Sequence, residues 1–320
     1  MEYENDGERW RQTSEPLSGV SRGGMPLSIN RAPADDLRPW VGRLVAAKIE
    51  ADPSSVIHCG MCNDLTFARI VLRGDWTATD REGTSSYRDE VLLFGPQSGF
   101  MPLSCTGSVI AVGVGLRPGA LGRLTDRNTE SLIDRVERSD PLGLVEHDLF
   151  SEYPPDAEPE QWLAQLETAL RRRIAALDPE PPNPLTSAFE LAGFADPNLS
   201  LAGFAKAHNV SLRQLERIVK RDFGLTPKQV LRRARALDFA ARLCGVADEA
   251  EAEQLMLRYF DQSHLIREFA AFFGTTPSNF CAAPRPLMTL NVEIRQARRL
   301  EELHRLGPGQ TRPWLSSGTD

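Results

Sequence analysis

The sequence predicts an α+β protein of more than one domain, with an antiparallel β barrel in its N-terminal half and an all-α domain in its C-terminal half. Two observations predict this division. Short apolar runs separated by turn signals fill residues 40–116, and one helical pattern occurs twice, 50 residues apart, between residues 200 and 280. With 320 residues, 41% of them hydrophobic and 25% charged, the chain has the composition of an ordinary soluble globular protein with room for two or three domains.

Residues 1–38 contain few large apolar side chains and many Gly, Ser, Arg, Asp and Pro residues. Such a segment buries too little surface to order itself, so we expect a flexible arm. It either stays disordered or folds over a ligand or a partner subunit.

Residues 39–157 are predicted to form the barrel domain. Gly113 and Gly115 inside its last strand indicate a bulge or a close backbone approach. Two helices, at 120–123 and 129–138, follow the strands. The predicted strands are residues 41–49, 56–59, 65–72, 87–94, 101–104 and 108–116.

Residues 158–178 form a single helix with one apolar stripe. Such a stripe either docks on its own domain or, because the spacing is close to a heptad, pairs with the same helix of a second subunit. The stripe consists of Leu163, Leu166, Leu170, Ile174 and Leu177. The proline-rich segment 179–184 then acts as a stiff linker.

Residues 185–283 hold the repeated pattern, which predicts two helix-turn-helix units joined by a long helix from Pro227 to about Cys244. In the first unit a helix at 201–208 leads to a corner at Asn209, and a second helix begins with Ser211 and Gln214 as a capping box. The predicted apolar faces of the two second helices are Leu212, Leu215, Ile218, Val219 and Phe223, and Leu265, Ile266, Phe269 and Phe273. Gly224 and Gly274 are predicted to end these helices, and Thr226-Pro227 and Thr276-Pro277 to begin the next ones.

Charge is unevenly distributed along the chain. The whole protein carries a net charge of −7, whereas residues 206–242 contain ten basic and three acidic residues, a local net charge of +7. Because Lys and Arg supply affinity for DNA by neutralising phosphates, this segment is the candidate DNA-binding surface.

The run 260–269 (FDQSHLIREF), followed by 273–280 (FGTTPSNF), resembles the second half of the DNA-binding domain of AraC/XylS-type transcription regulators. The resemblance covers residues 185–283 and implies that the second helix of each unit reads base edges. Carried over, the base-reading residues are Arg213, Gln214, Glu216, Arg217, Gln262, Ser263, His264 and Arg267. The phosphate-binding residues are Lys206, Lys220, Lys228, Arg232, Thr226 and Thr276.

The second unit departs from the family pattern in its leading helix, residues 249–257. Gln254 and Arg258 stand where a small residue and a glycine corner are usual. We therefore expect the second unit to bind DNA more weakly than the first. The tail, residues 284–320, includes a stretch that could be helical and has no predicted role.

The motifs 94–97 (FGPQ) and 116–119 (LRPG) make the N-terminal half similar to the cupin-type sensor domain that precedes some AraC-type domains. This resemblance implies a small-molecule effector inside the barrel. The inward residues would be Phe67, Ile70, Leu92, Phe94 and Val112, unless these are ordinary core residues.

Metal and redox chemistry find little support in the sequence. Cys59 and Cys62 have the spacing of a metal or redox pair but lie inside an apolar strand pattern, which favours plain burial. Only one of the five histidines lies in the strand region, and the chain has no glycine-rich phosphate loop, GxSxG or HExxH motif. A cupin-type metal-dependent enzyme with an appended helical domain is the alternative reading, and a helix-turn-helix used only for protein contacts is a third.

The expected partner is double-stranded DNA, with RNA polymerase as a further partner if the protein activates transcription, as the resemblance favours. We expect a homodimer with no cofactor. The N-terminus is acidic and lacks the apolar core of a signal peptide, and no apolar run approaches the roughly 20 residues of a membrane span. A cytoplasmic location without membrane contact is therefore expected.

Overall fold

The computed structural model describes residues 27–247, 262–307 and 310–315, in which strands of the N-terminal half form one antiparallel sheet of eight strands. The strand order is β1-β2-β7-β4-β6-β8, with β3 also paired to β7 and β5 to β4. The strands are β1 (Ile29–Arg31), β2 (Val41–Ile49), β3 (Val56–Met61), β4 (Thr66–Asp80), β5 (Gly83–Tyr87), β6 (Val91–Phe94), β7 (Met101–Leu116) and β8 (Val136–Arg138).

The predicted antiparallel architecture is confirmed, but the barrel is not closed. The end strands β1 and β8 do not pair with each other among the described residues. The two strands predicted at 101–104 and 108–116 are one strand, because Gly107, at a φ of 76°, continues the chain without ending the ladder. The strand predicted at 87–94 divides into β5 and β6 around Asp89, whose φ is 50°.

The two glycines of β7 allow the close approach that the sequence predicted. A Cβ atom at position 113 would lie 2.9 Å from the carbonyl oxygen of Ala68, and one at position 115 would lie 2.8 Å from the Phe67 ring. Both distances are shorter than side chains tolerate. β7 can therefore pack tightly against β4 only with glycine at these positions.

Residues 27–38 belong to the fold, so the predicted arm extends too far. Leu27 and Leu37 are buried, and β1 pairs with β2. The reason is a contact with a residue far along the chain, because Asn30 is buried and donates to Glu293 at 2.7 Å. The first 26 residues of the predicted arm lie outside the described part of the chain.

The helix predicted at 129–138 is wrong. Asn128 caps only a short 3-10 turn, Thr129–Leu132, and Asp134 then takes a φ of 56°, which ends it. Residues 136–138 form β8 instead, because their backbone pairs with β6 from Leu92 to Phe94. The helix predicted at 120–123 is the single turn α1 (Leu121–Leu124), and a second turn, α2 (Leu149–Glu152), lies further along the chain.

The apolar stripe predicted for the helix at 160–177 packs against the sheet of the same chain. Helix α3 (Pro159–Leu177) places Leu163, Leu166 and Leu170, none of them measurably exposed, against one face of the sheet, while Leu177 is 44% exposed. Docking on its own domain is therefore the alternative that the structure bears out. A second copy could not use these three leucines without displacing the sheet.

The other face of the sheet packs against the C-terminal half. This C-terminal half consists of α4 (Pro184–Ala195), α5 (Leu201–Ala207), α6 (Leu212–Phe223), α7 (Pro227–Leu243), α8 (Gln262–Phe273), α9 (Pro277–Cys281) and α10 (Pro286–Glu302). One apolar cluster joins this face of the sheet to α7, α8, α9 and α10. The two halves of the protein thus share a core.

Helix α10 is the stretch of the tail that the sequence indicated could be helical, but the sequence predicted no role for it. Its fifteen residues from Pro286 to Leu300 are all buried, although four of them are charged. Glu293 is fully buried and accepts from Asn30 at 2.7 Å and from the Trp314 indole at 3.1 Å. The helix is therefore a central element that lies between the sheet and α7.

The five residues predicted to line an effector cavity do not lie on one surface. Phe67, Leu92 and Phe94 belong to the cluster shared with α10, whereas Ile70 and Val112 belong to the cluster beneath α3. The space left between the sheet and α10 is about 40 Å³. That volume holds a few water molecules at most, because α10 fills the face that was predicted to be hollow.

Candidate nucleic-acid interface

The second helices of the two predicted helix-turn-helix units, and the turns that follow them, repeat as the sequence predicted. Helices α6 and α8 are both twelve residues long and begin 50 positions apart. Gly224 and Gly274 follow them with φ of 73° and 66°, so both helices end in the same left-handed turn. Thr226 and Thr276 then cap α7 and α9 by accepting from the amides of Gln229 and Asn279.

The corner of the first unit also has its predicted geometry. Asn209 takes a φ of 53°, and the Ser211 side chain accepts from the Gln214 amide at 3.1 Å to cap α6. Ala205 is buried where α5 crosses α6, and its carbonyl accepts from Val210. Gln214 does not complete the predicted capping box within the described residues. Its side chain lies exposed on the outer face.

The apolar faces of the two recognition helices, α6 and α8, are as predicted with two exceptions. Leu215, Val219 and Phe223 are buried in the first, as are Leu265, Phe269 and Phe273 in the second. Leu212 and Ile266 are 48% and 44% exposed and do not belong to either core. Leu212 is the first residue of α6.

The outer face of α6 presents the predicted base-reading residues. Arg213, Gln214, Glu216 and Arg217 are all exposed. Neither Arg213 nor Arg217 forms an ion pair with any residue in the described ranges. Their guanidinium groups are therefore available for the bidentate contact with guanine that Arg favours.

The predicted phosphate-binding residues divide into two groups. Lys206 and Lys228 are exposed. Lys220 forms an ion pair of 2.8 Å with Glu130 of the N-terminal half, and Arg232 lies 3.3 Å from Glu268. The ion pairs of Lys220 and Arg232 must break before these side chains can bind a phosphate.

The hydroxyls of Thr226 and Thr276 are both used as helix caps. Thr226 additionally approaches the Gln229 side chain at 2.8 Å. Their part in phosphate binding stays a prediction.

Some of the positive charge counted between residues 206 and 242 is structural. Arg233 is buried and donates to the carbonyl oxygens of Gln97 and Asp64 at 2.9 and 3.0 Å, so it joins α7 to the sheet. Burial lowers the pKa of Arg233, and Asp64 partly restores it. Arg235 binds both oxygens of Glu268 at 2.9 Å. Neither arginine is available to DNA, so the exposed charge is smaller than the sequence count.

In the second unit, Arg267 is exposed on α8 at the position equivalent to Arg217. Gln262, Ser263 and His264 occupy the first turn of α8, but their side chains lie outside the described residues. The leading helix predicted at 249–257 lies within residues 248–261, which are also outside the described part. Weaker binding by this unit therefore stays a prediction.

Sequence reasoning missed the contact between the N-terminal half and the recognition helix α6. Besides the Lys220–Glu130 pair, Ile133 packs at the end of α6, where a Cβ on Gly224 would lie 2.6 Å from its Cδ1 atom. The tertiary contact has no local signal, because the residues are about 90 positions apart. It places the turn 129–132 against the helix that would enter the groove.

Cys59 and Cys62 are buried free thiols. The Cys59 sulfur accepts from the Met288 amide of α10 at 3.3 Å, and burial raises the pKa of both thiols. In the described part of the chain no three His, Cys, Asp or Glu side chains gather where they could hold a metal ion. None of the described helices is both long and apolar enough to cross a bilayer.

Residues 204–283 match a family of helix-turn-helix domains, of the AraC type. Among solved structures, the chain is similar to ToxT from Vibrio cholerae, with 9% identity over 74% of this chain and 96% of that one and a TM-score of 0.42. It is also similar to the C-terminal domain of AraT from Geobacillus stearothermophilus (21% identity, 32% and 88% covered, TM-score 0.28). The AraC-like activator CuxR is a third such structure (12% identity, 74% and 91% covered, TM-score 0.29). Curated protein sequences gave no match.

The repeated units, their exposed basic face and the family match define the class: the protein is a DNA-binding transcription regulator. Within that class, its C-terminal domain is of the AraC type, which confirms the resemblance seen in the sequence.

Proposed function

We propose that the protein reads two successive major-groove segments on one face of a DNA duplex, one with α6 and one with α8. The single observation that supports this most is the equivalence of the two helices. Arg217 and Arg267 are each the sixth residue of a twelve-residue helix and both are exposed. Two such helices in adjacent turns of the groove would read sites about 34 Å apart.

Base reading is assigned to the outer faces of the two helices. Arg213 and Arg217 are the strongest candidates in the first unit, because each offers a planar pair of donors to guanine O6 and N7. Gln214 and Glu216 flank them. In the second unit the assigned residues are Gln262, Ser263, His264 and Arg267.

Phosphate contacts are assigned to the exposed rim of the same surface. Lys206 and Lys228 are accessible as they stand, while Lys220 and Arg232 would exchange a carboxylate for a phosphate. Thr226 and Thr276 complete the set. Such contacts set the position of the protein on the duplex and carry no sequence information themselves.

The test is selection of bound sequences from a random DNA pool, first with the natural chain and then with Arg217→Ala and Arg213→Ala. We expect each substitution to weaken binding by about 1–3 kcal/mol and to relax base preference at one position of the site. Lys206→Ala is the matched control, because loss of a phosphate contact weakens all sequences alike and reduces the salt slope by about one. Unchanged preference in the variant Arg217→Ala with Arg267→Ala would contradict the assignment.

As part of the same proposal, the N-terminal half senses a small molecule, and the protein acts as a homodimeric activator that contacts RNA polymerase. The turn 129–132 against α6 supports a sensing role, since any shift of that turn alters the recognition helix directly. The protein would work in the cytoplasm with its DNA and act by binding, without catalysis. An effector regulates only if it binds two arrangements of the halves unequally.

A further inference from the structure

A cavity of about 730 Å³ lies between the first strands of the sheet and the C-terminal end of α10. Its walls come from both halves of the chain and are unusually rich in arginine. The arginines are Arg31, Arg38, Arg117, Arg298 and Arg312, against two acidic residues, Glu301 and Glu302. No residue of the AraC-type match, 204–283, contributes to these walls.

Most of these arginines already have carboxylate partners, so only two of them are candidates for binding a further anion. Arg117 pairs with Glu302, Arg312 with the buried Glu293, and Arg31 with Glu160 and Glu167. Arg38 is 56% exposed, and its partner Asp35 is 91% exposed, so their pair is worth little. Arg38 can therefore turn to another anion at almost no cost.

Arg298 is the more unusual member of the site. Its side chain is 3% exposed, and its Nη2 atom lies 2.5 Å from a Glu190 oxygen that also faces Arg117 at 3.6 Å. One carboxylate is thus shared by two guanidinium groups. The ion pair with Glu190 involves the Nη2 atom of Arg298, and no described residue offers an acceptor to its Nε or Nη1 atom. Burying donors without acceptors is costly, and an oxyanion in the cavity would supply them.

The backbone leaves space for Arg298 at this point. A Cβ atom on Gly42 would lie 3.0 Å from Arg298 Nε, so glycine there lets the guanidinium lie against β2. On its other side the guanidinium lies over the Phe194 ring at 5.2 Å. The side chain is held on both faces while its Nε and Nη1 donors lack acceptors, which is the arrangement of a preorganised anion site.

We propose that this cavity binds a small, multiply charged oxyanion, a polycarboxylate or a phosphorylated metabolite, between Arg38 and Arg298. The inference rests on the proposed function, of which it would be the effector site. It moves that site from the face of the sheet, where about 40 Å³ remains, to the junction of β2 with α10. A bound anion would tie the N-terminal half to α10 and hence to α7.

The test is isothermal titration of the full chain at physiological salt with citrate and with inorganic pyrophosphate, and with glycerol as the neutral comparison. We expect at least one anion to bind with a sub-millimolar Kd and glycerol not to bind. Arg38→Gln and Arg298→Gln should each weaken binding at least tenfold. Arg88→Gln, which removes an exposed arginine paired with Asp75 on the β4–β5 hairpin, should leave it unchanged.

Binding of citrate alone identifies a polycarboxylate, and binding of pyrophosphate alone a phosphorylated ligand. If Arg298→Gln does not fold, Arg38→Gln decides, because its side chain is exposed. The proposal of an anion site would be wrong if neither anion bound, or if the Arg38→Gln and Arg88→Gln variants bound the anion equally well. A gel-shift titration of the same preparations separates this result from the proposed function. If the chain binds DNA but neither anion, only the anion site is wrong and the proposed DNA binding stands.

Discussion

Leu212 and Leu215 lie three residues apart at the start of α6 and have opposite surroundings. Leu215 is fully buried, whereas Leu212 is 48% exposed beside Arg213. An exposed leucine on a recognition helix is suited to contact a thymine methyl group, which is the apolar feature of the major groove.

We predict that Leu212→Ala and Leu215→Ala separate stability from base preference. Leu215→Ala should lower the free energy of unfolding by about 2–5 kcal/mol, because it opens a cavity in the core of the first unit. Leu212→Ala should change stability by less than about 0.5 kcal/mol and reduce preference for thymine at one position of the selected site. Urea unfolding and sequence selection measure the two effects. A large loss of stability in Leu212→Ala would show that this leucine packs after all.

Individual residues also show which features could be predicted from the sequence and which could not. The caps at Ser211, Thr226 and Thr276 and the left-handed turns at Asn209, Gly224 and Gly274 could be predicted, because each is a local arrangement of a few residues. The burial of Arg233 could not, because its acceptors are carbonyl oxygens of residues 64 and 97. The charge count of the segment therefore predicted a more basic surface than the fold presents.

At the element scale, the turn 129–132 and helix α6 form a contact that joins the two halves of the chain. Glu130 pairs with Lys220 at 2.8 Å, with both side chains about half exposed, and Ile133 packs beside Gly224. The sequence predicted a helix here. The structure has a turn that lies against the recognition helix. The helix cannot continue because residues 136–138 pair with β6 and form β8.

We predict that Glu130→Gln increases affinity for DNA. The substitution releases Lys220 for a phosphate, and because half-exposed pairs contribute at most about 1 kcal/mol, the gain should be less than tenfold. Gel-shift titrations at two salt concentrations measure it. Glu82→Gln, which breaks a similar exposed pair of 2.9 Å with Arg135 between two loops of the N-terminal half, is the control and should have no effect. Equal affinities for the two variants would mean that the pair does not restrain α6.

On the scale of the whole molecule, α10 makes two predicted domains into one body. Arg295 binds Asp64, in the loop between β3 and β4, at 3.1 Å and also pairs with the buried Asp238 of α7. Asn291 of the same helix donates to Asn63 at 2.7 Å. The second half of α10 carries six charged residues between Glu293 and Glu302, a composition typical of an exposed helix. Its burial depends on partners in other elements, some of them about 230 positions away along the chain, so no local pattern could indicate it.

We predict that the natural chain unfolds in a single calorimetric transition and that Leu290→Asp divides this transition into two. Leu290 is 6% exposed and faces the sheet, so a carboxylate there would be buried without a partner and would detach α10 from β2 and β3 at a cost of several kcal/mol. Leu177→Asp is the matched control, since that leucine is 44% exposed, and it should leave one transition with an almost unchanged midpoint. Two resolved transitions in the natural chain would contradict a shared core. A single one in Leu290→Asp, at the midpoint of the control, would show that α10 does not couple the halves.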